Sequence, residues 1–407
     1  MILFLFAYCK SFLFEKDKYI QNPLFSTSFD EAKTKFENRL SEKWIQIKIN
    51  NDETTIAVLK NPNSNNWLIH TSGIHGVEGY TGSAIQLRIL DELENKDNCP
   101  NVMLVHAMNP YGMKHMQRVN GNNVDLNRNS ILNNDFTSDS LVFKNSWLNS
   151  LINPSSIIEF YLFPFLLLYA LFVYGLKTCV QLIVTGQYQK QTAMSYGGVE
   201  HEPEIKEFYK AIAPFFNNQS HITHIDLHTG FGKYMNEYLM VDTREEQNYF
   251  EKFFKADVGE NANANYYINS EFPEYKHMKG GLINGFQHLL TFYGNVQIES
   301  YHGMVQEFGT VNFSGIPIFI NMRLANFIKC HKPFLFENTH SGAFSSAKSN
   351  CSMRISLRYA RNAQRCKPGN NKQLQKKMYD SFNPPSAEYQ EQCIVKGWKR
   401  FSDLLSI

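Results

Sequence analysis

The chain has 407 residues, 43% hydrophobic and 19% charged, so it can fold around a full core and is not a disordered polymer. Its formal net charge is +2 with no dense basic run, which argues against nucleic acid as a main partner. The seven cysteines are scattered without a C-x-x-C pair. That excludes a zinc-finger pattern and an evident disulfide framework, and it favours a reducing, cytoplasmic setting.

In chain order, Met1 to Phe14 is apolar but broken by Lys10 and lacks a basic leader region, so it reads as an ordinary buried or frayed end. Thr27 or Ser28 can cap a helix whose apolar face holds Phe29, Ala32 and Phe36. Residues 44–49 alternate as a strand, and Thr55 to Leu59 forms its antiparallel partner across an Asn-Asn-Asp turn. Trp67 to Ile69 begins a buried strand that breaks at Gly73 into a turn carrying His75 and Glu78; a helix opens near Tyr80. Val102 to Ala107 is a further buried strand, followed by a long polar loop over 108–129. Residues 130–155 are a polar connection.

Phe160 to Leu176 is an uncharged stretch with Pro164 inside it, at the lower edge of transmembrane length. A helix is expected over 202–216, a strand over 222–227, a strand over 238–241 and an amphipathic helix over 243–258. Short strands follow at 296–298 and 304–308, then a helix over 317–329. Residues 340–375, rich in Ser, Asn, Lys, Arg and Gln, read as a loop or insertion, and a last helix spans 387–406. Strands alternating with helices indicate an α/β class with a mixed, mostly parallel central sheet flanked by helices. The expected organisation is one catalytic domain over 20–335, the 340–375 insertion, and a C-terminal helix in 380–407 packing on the same domain.

His75-x-x-Glu78 lies on a turn fixed between a strand and a helix, which suits a metal. His228 is the best second histidine, because it too ends a buried strand, and ligand sites gather at such carboxyl ends. Two His and one Glu leave a coordination position open for water. His70, His106, His115, His201, His221 and His224 lack a partner at ligand spacing. Arg118, Asn127 and Arg128 share the polar loop and can grip an anionic substrate end or a developing oxyanion. A general base is also needed: Glu307 ends an apolar strand, and Glu299 is its rival.

The ordered set His75-x-x-Glu78, Arg118, Asp125-x-Asn127-Arg128, His228 and Glu307 resembles the zinc carboxypeptidase family, nearest its bacterial-type branch of unassigned function and the succinylglutamate desuccinylase/aspartoacylase group. Asn109-Pro-Tyr-Gly, Gly186-Gln-Tyr, Tyr196-Gly-Gly, Asp226-Leu-His-Thr-Gly and Glu307-Phe-Gly-Thr share that likeness, over about residues 20–335. The resemblance implies a carboxypeptidase-like α/β hydrolase fold with one Zn²⁺ per chain on His75, Glu78 and His228. It implies that Asp125 orients His75 from behind, that Arg118 stabilises the oxyanion, that Asn127 and Arg128 bind a substrate carboxylate, and that Glu307 moves the proton. Tyr293 is the candidate for the family's mobile-loop tyrosine.

The expected activity is zinc-dependent hydrolysis of amide bonds in a small peptide or acyl-amino acid with a free carboxylate. N-acyl amino acid deacylation or ester cleavage on the same centre, or an inactive zinc-binding scaffold, are the alternatives. Because Phe160 to Leu176 lies between Arg128 and His228, one membrane crossing there would part the two halves of the site. The expectation is therefore a helical segment over 157–183 packed on the domain, with a peripheral membrane contact.

Overall fold

The structure, a computed structural model, describes residues 22–136, 150–156, 158–159, 162–254, 264–268, 278–310, 316–336 and 372–407. Its strands are β1 (Ile45–Ile49), β2 (Thr54–Leu59), β3 (Asn66–Ser72), β4 (Asn101–His106), β5 (His221–Thr229), β6 (Glu237–Val241), β7 (Ala264–Ile268) and β8 (Ser300–Phe308). They form one eight-stranded sheet in the order β1-β2-β4-β3-β5-β8-β6-β7. The inner neighbours β4/β3, β3/β5 and β5/β8 are parallel, whereas β1/β2, β2/β4 and β6/β8 are antiparallel. The mixed, mostly parallel α/β sheet is thus present.

The helices are α1 (Phe29–Asn38), α2 (Gly79–Leu93), α3 (Pro110–Lys114), α4 (Phe163–Val184), α5 (Pro203–Ile212), α6 (Arg244–Glu251), α7 (Leu282–Gly294), α8 (Ile316–Phe336), α9 (Lys372–Phe382) and α10 (Ala387–Asp403). Strand periodicity sorts them into two layers. Leu68, Val102, Leu104, Ile225 and Leu227 face one way, onto α2, α6 and α10 through Ile85, Phe250 and Phe401. Trp67, Ile69, Met103 and Val105 alternate with them and face the other way, onto α5 and α7 through Phe208, Ile212, Phe286 and Leu290. Central strands covered on both faces are why these segments read as continuous apolar runs.

Several elements differ from their sequence signals. Residues 296–298 are not a strand: Asn295 adopts φ 52° to end α7, and Ile298 fills the core as irregular chain before β8 starts at Ser300. Helix α7 escapes the sequence reading because it opens on Gly280-Gly281 and carries Gly285 inside, both poor helix signals, yet its packing overrides propensity. Strand β7 was also not expected from its sequence. Residues 372–375 belong to α9 rather than to a loop, because Met378 and Phe382 bury against Val77 and give that polar run a docking face. The remainder of the 340–375 segment, like Met1 to Phe14, lies outside the described residues.

The apolar stretch forms α4, with Pro164 in its first turn, where the missing amide N–H costs nothing. The helix is interrupted at Gly175, whose φ of 73° suits a residue without Cβ. No helix among the described residues is long and apolar enough to cross a membrane.

Candidate metal centre

Strand β3 ends at Ser72, and Gly73 turns the chain with φ +71°. A short 3₁₀ turn, Gly76–Glu78, then feeds α2. A Cβ on Gly76 would lie 2.1 Å from the Gly112 carbonyl carbon, so only glycine lets the α3 backbone approach this closely. The contact is sewn by Gly76 N–H to the Arg118 carbonyl (3.2 Å) and Val77 N–H to the Gln117 carbonyl (2.9 Å). This backbone stitching carries Arg118 to the His75/Glu78 turn.

β5 lies beside β3 in parallel, with Ser72 against Leu227, so His228 at its end reaches the same place. His75, Glu78 and His228 are all buried, and their ligand atoms lie within 4.8 Å of one another. The two Nδ1 atoms are 3.0 Å apart. Glu78 Oε1 is 3.0 Å from His75 Nδ1, and Oε2 is 3.1 Å from His228 Nδ1. On the far side of each ring a carboxylate waits. His75 Nε2 donates to Asp125 Oδ1 at 3.1 Å, and His228 Nε2 donates to Asp226 Oδ2 at 2.8 Å.

Those outer bonds fix both tautomers with Nδ1 unprotonated in the neutral ring. Two imidazole lone pairs and a carboxylate then converge on one point, an arrangement that repels unless a positive charge sits within it. Their 3.0–3.1 Å separations are near the roughly 3.3 Å edge of a tetrahedron with zinc–nitrogen bonds. The donor chemistry therefore fits a divalent cation. The same negative surroundings favour any positive charge at this place, a proton included. Burial would raise Glu78, but the His75 charge and the His228 bond hold it well below the usual carboxylate range. Burial would lower His228, but Asp226 foremost, then Glu78, push it up to about 10.

The Asp226 carboxylate continues inward. Its Oδ1 accepts from Thr71 Oγ1 at 2.6 Å, and Thr71 Oγ1 is 2.8 Å from His224 Nε2. His224 Nδ1 in turn meets the Tyr301 hydroxyl at 3.1 Å. His224, Asp226 and His228 alternate along β5 and so share one face. Thr71, His224 and Asp226 in this line are buried and paired, which is what a charged carboxylate in a sheet interior demands.

A sequence family described as a protein of unknown function, DUF2817, matches residues 25–396. The chain belongs to the DUF2817 family. A search of curated proteins returns no match. Among solved structures, this DUF2817 protein is similar to bovine thrombin-activatable fibrinolysis inhibitor, crystallised with tick carboxypeptidase inhibitor, at 12% identity over 76% of this chain and 97% of that one, TM-score 0.37. It is similar to the succinylglutamate desuccinylase of Chromobacterium violaceum at 11% identity over 75% and 74% of the two chains, TM-score 0.32. A metallo-carboxypeptidase from Burkholderia cenocepacia gives 11% identity over 75% and 69%, TM-score 0.34.

Around the DUF2817 centre, Arg118 donates from Nε to Asp125 Oδ2 (3.0 Å) and from Nη1 to Glu78 Oε1 (3.2 Å). Burial would raise Asp125, but Arg118 and then His75 hold it well below its ordinary range. Asn127 and Arg128 follow on the 3₁₀ turn Leu126–Arg128. Asn127 Oδ1 accepts the Leu282 N–H at 2.9 Å, capping α7, and Arg128 Nη1 donates to the Asn127 carbonyl at 2.6 Å. The glycine motifs hold this turn. Tyr196 accepts from Asp125 N–H at 2.7 Å, Gly197 from Asn129 Nδ2 at 2.7 Å, and Tyr188 O–H donates to the Arg128 carbonyl at 2.8 Å.

Glu307 ends β8 directly beside His228 in the parallel register, so both side chains leave the sheet on the same side. Its Oε1 accepts from Phe231 N–H at 2.8 Å. Burial first, and the Glu78 charge second, push its carboxyl up to about 8. The rival Glu299 precedes the first residue of β8, roughly 26 Å away along the strand, and the structure removes it from the site.

Tyr293 lies toward the other end of α7 from the residue bonded to Asn127. It sits eleven residues along α7 from Leu282, roughly 16 Å by helix rise, and its hydroxyl meets His201 Nδ1 at 2.7 Å. Conversely, the sequence reading gave Asp226 no role. The signal was present: an aspartate two residues before His228 in an apolar strand must face the same way and must be paired.

Proposed function

We propose that this protein is a zinc-dependent hydrolase of amide bonds, carboxypeptidase-like in its preference for a small peptide or acyl-amino acid with a free carboxylate. The observation that carries the reading is the convergence of His75, Glu78 and His228, each ring backed by its own carboxylate, with Glu307 beside His228 on the neighbouring strand.

His75, Glu78 and His228 would hold the ion. A zinc ion in such a setting lowers the pKa of water and polarises a carbonyl. Asp125 and Asp226 keep the two Nδ1 lone pairs aimed inward by engaging the opposite nitrogens. Glu307 accepts a proton from the attacking water as its oxygen bonds to the carbonyl carbon, then delivers it to the leaving nitrogen as the carbon–nitrogen bond breaks. Burial raises the carboxyl above its ordinary value, which favours delivery of the proton, while a bound cation would favour its release in the first half. Arg118, anchored on Asp125 and Glu78, offers positive charge to the developing oxyanion. Asn127 and Arg128, on the same loop, are the residues this reading assigns to the substrate carboxylate.

The test is elemental analysis of the purified chain together with a panel of peptides and acyl-amino acids hydrolysed by wild type and Glu307→Gln. One zinc per chain and loss of turnover in the variant are expected. A chain that holds no metal, or a variant as fast as wild type, overturns the reading. The panel also decides between peptidase and N-acyl amino acid deacylase.

A further inference from the structure

Helix α2 starts without the usual side-chain cap. Glu78 stands at its N-cap position, yet the carboxylate makes no capping bond to the first N–H groups of the helix. Both carboxylate oxygens are engaged elsewhere: Oε1 with His75 and Arg118, Oε2 with His228 and the Thr229 N–H at 3.1 Å. A buried helix start still needs partners for its orphaned donors. One is supplied by Asn383, 302 residues along the chain from Thr81. Its Oδ1 accepts from the Thr81 N–H at 3.1 Å and from the Thr81 hydroxyl at 2.9 Å, and its Nδ2 donates to the Val77 carbonyl at 2.8 Å. All three residues are fully buried. Val77 and Thr81 stand at the separation that one α-helical hydrogen bond would close. Helix α2 begins only at Gly79, and the Asn383 carboxamide takes both ends of that pair, like a peptide group inserted between them. Glu78 lies inside the turn so bridged. The bridge is itself held: the Asn383 N–H donates to the Tyr379 carbonyl at 2.7 Å, and Met378 and Phe382 of α9 bury against Val77.

We propose that Asn383 is a positioning residue of the metal centre: it takes over the capping role at α2 and so leaves the Glu78 carboxylate free to turn inward. The inference rests on reading His75, Glu78 and His228 as metal ligands. A cap acceptor and a metal ligand are wanted at the same place in the chain, and one carboxylate cannot serve both. An N-cap side chain reaches the N–H of the second or third helical residue, and Thr81 is the third residue of α2. Without Asn383 the Thr81 N–H would be left unpaired in a buried turn, and the Glu78 carboxylate stands where a side chain swings to such a donor. Each Glu78 oxygen drawn to the helix is one withdrawn from the ion. The C-terminal segment thereby bears on a centre to which it gives no ligand.

Zinc affinity is measured by chelator competition, beside the urea midpoint of the metal-free chain, for wild type, Asn383→Ala, Asn383→Asp and Ile212→Ala. Asn383→Ala is expected to bind zinc about tenfold or more weakly than wild type. Asn383→Asp keeps an acceptor for Thr81 but sets an oxygen against the Val77 carbonyl, and it is expected to lose part of that affinity. It carries the comparison if the alanine variant fails to fold. Ile212→Ala hollows the core on the other face of the sheet, so it is expected to lower the urea midpoint and keep the wild-type affinity. Wild-type affinity in Asn383→Ala, or in Asn383→Asp where that alone folds, overturns the proposal. An equal loss of affinity in Ile212→Ala also overturns it, because the effect is then one of general destabilisation. A wild-type chain that takes up no zinc removes the metal reading itself, and the proposal with it.

Discussion

His70, His106 and His224 in the interior of the sheet, and His75 and His228 at its carboxyl edge, are equally buried, yet their chemistry diverges. Inside the sheet, desolvation dominates and drives His70, His106 and His224 down to about 4, so all three stay neutral. Their ring nitrogens meet Gln86, Ser83 and Thr71, which are uncharged. At the edge, His228 experiences the same desolvation but faces Asp226 and Glu78, and it moves the other way. Burial does not decide what a histidine does. The charge of its partners does, and only the edge pair is backed by carboxylates on the side away from the centre.

The largest test of that contrast is chemical. Glu307→Gln is expected to cut turnover by roughly 10²- to 10⁴-fold while metal content is retained, measured as kcat on whichever substrate of the panel is cleaved. Next, Asp226→Asn should weaken metal binding about 10- to 100-fold in a chelator competition. His106→Phe, which alters an interior ring stacked on Phe36, should leave that affinity as it is. Equal losses in the two variants would erase the distinction between interior and edge.

Acid stability probes the interior. For His70 and His106 the folded-state pKa of about 4 lies below the ordinary 6.5. Between those values the unfolded chain binds more protons, so stability present above pH 6.5 is lost as pH falls toward 4. Each ring contributes on the order of 3 kcal/mol at most, and His106→Phe should flatten the acid limb of urea midpoints recorded on chelated protein. An unchanged limb would show that His106 is not held neutral. The smallest expected effect is Phe172→Ser, which at 89% exposure should shift stability by less than about 0.5 kcal/mol.

Much of the site was legible because its signals are local. His75 and Glu78 sit three residues apart at a Gly-marked strand end, and Asp125, Asn127 and Arg128 crowd one short turn. Asp226 was equally local, two residues from His228, but its meaning depended on Thr71 from the neighbouring strand. Tyr293 is the opposite case. Its type fitted a family expectation, while its position on α7 depends on where that helix packs, and α7 itself hides behind glycines.

Sequence alone determined the class of fold, through strand alternation and buried apolar runs, and the residue types able to hold a cation. These are properties of spacing within a few residues, set by the geometry of strand and helix. Tertiary structure decided which groups meet far along the chain: His228 against His75, 153 residues apart, and Glu307 beside His228 on the neighbouring strand. It also decided that, among the described residues, Phe163, Leu167 and Ala170 of α4 are buried while Phe165 and Phe172 are exposed. Those outcomes follow from strand order and helix packing, long-range choices that no short stretch of residues encodes by itself.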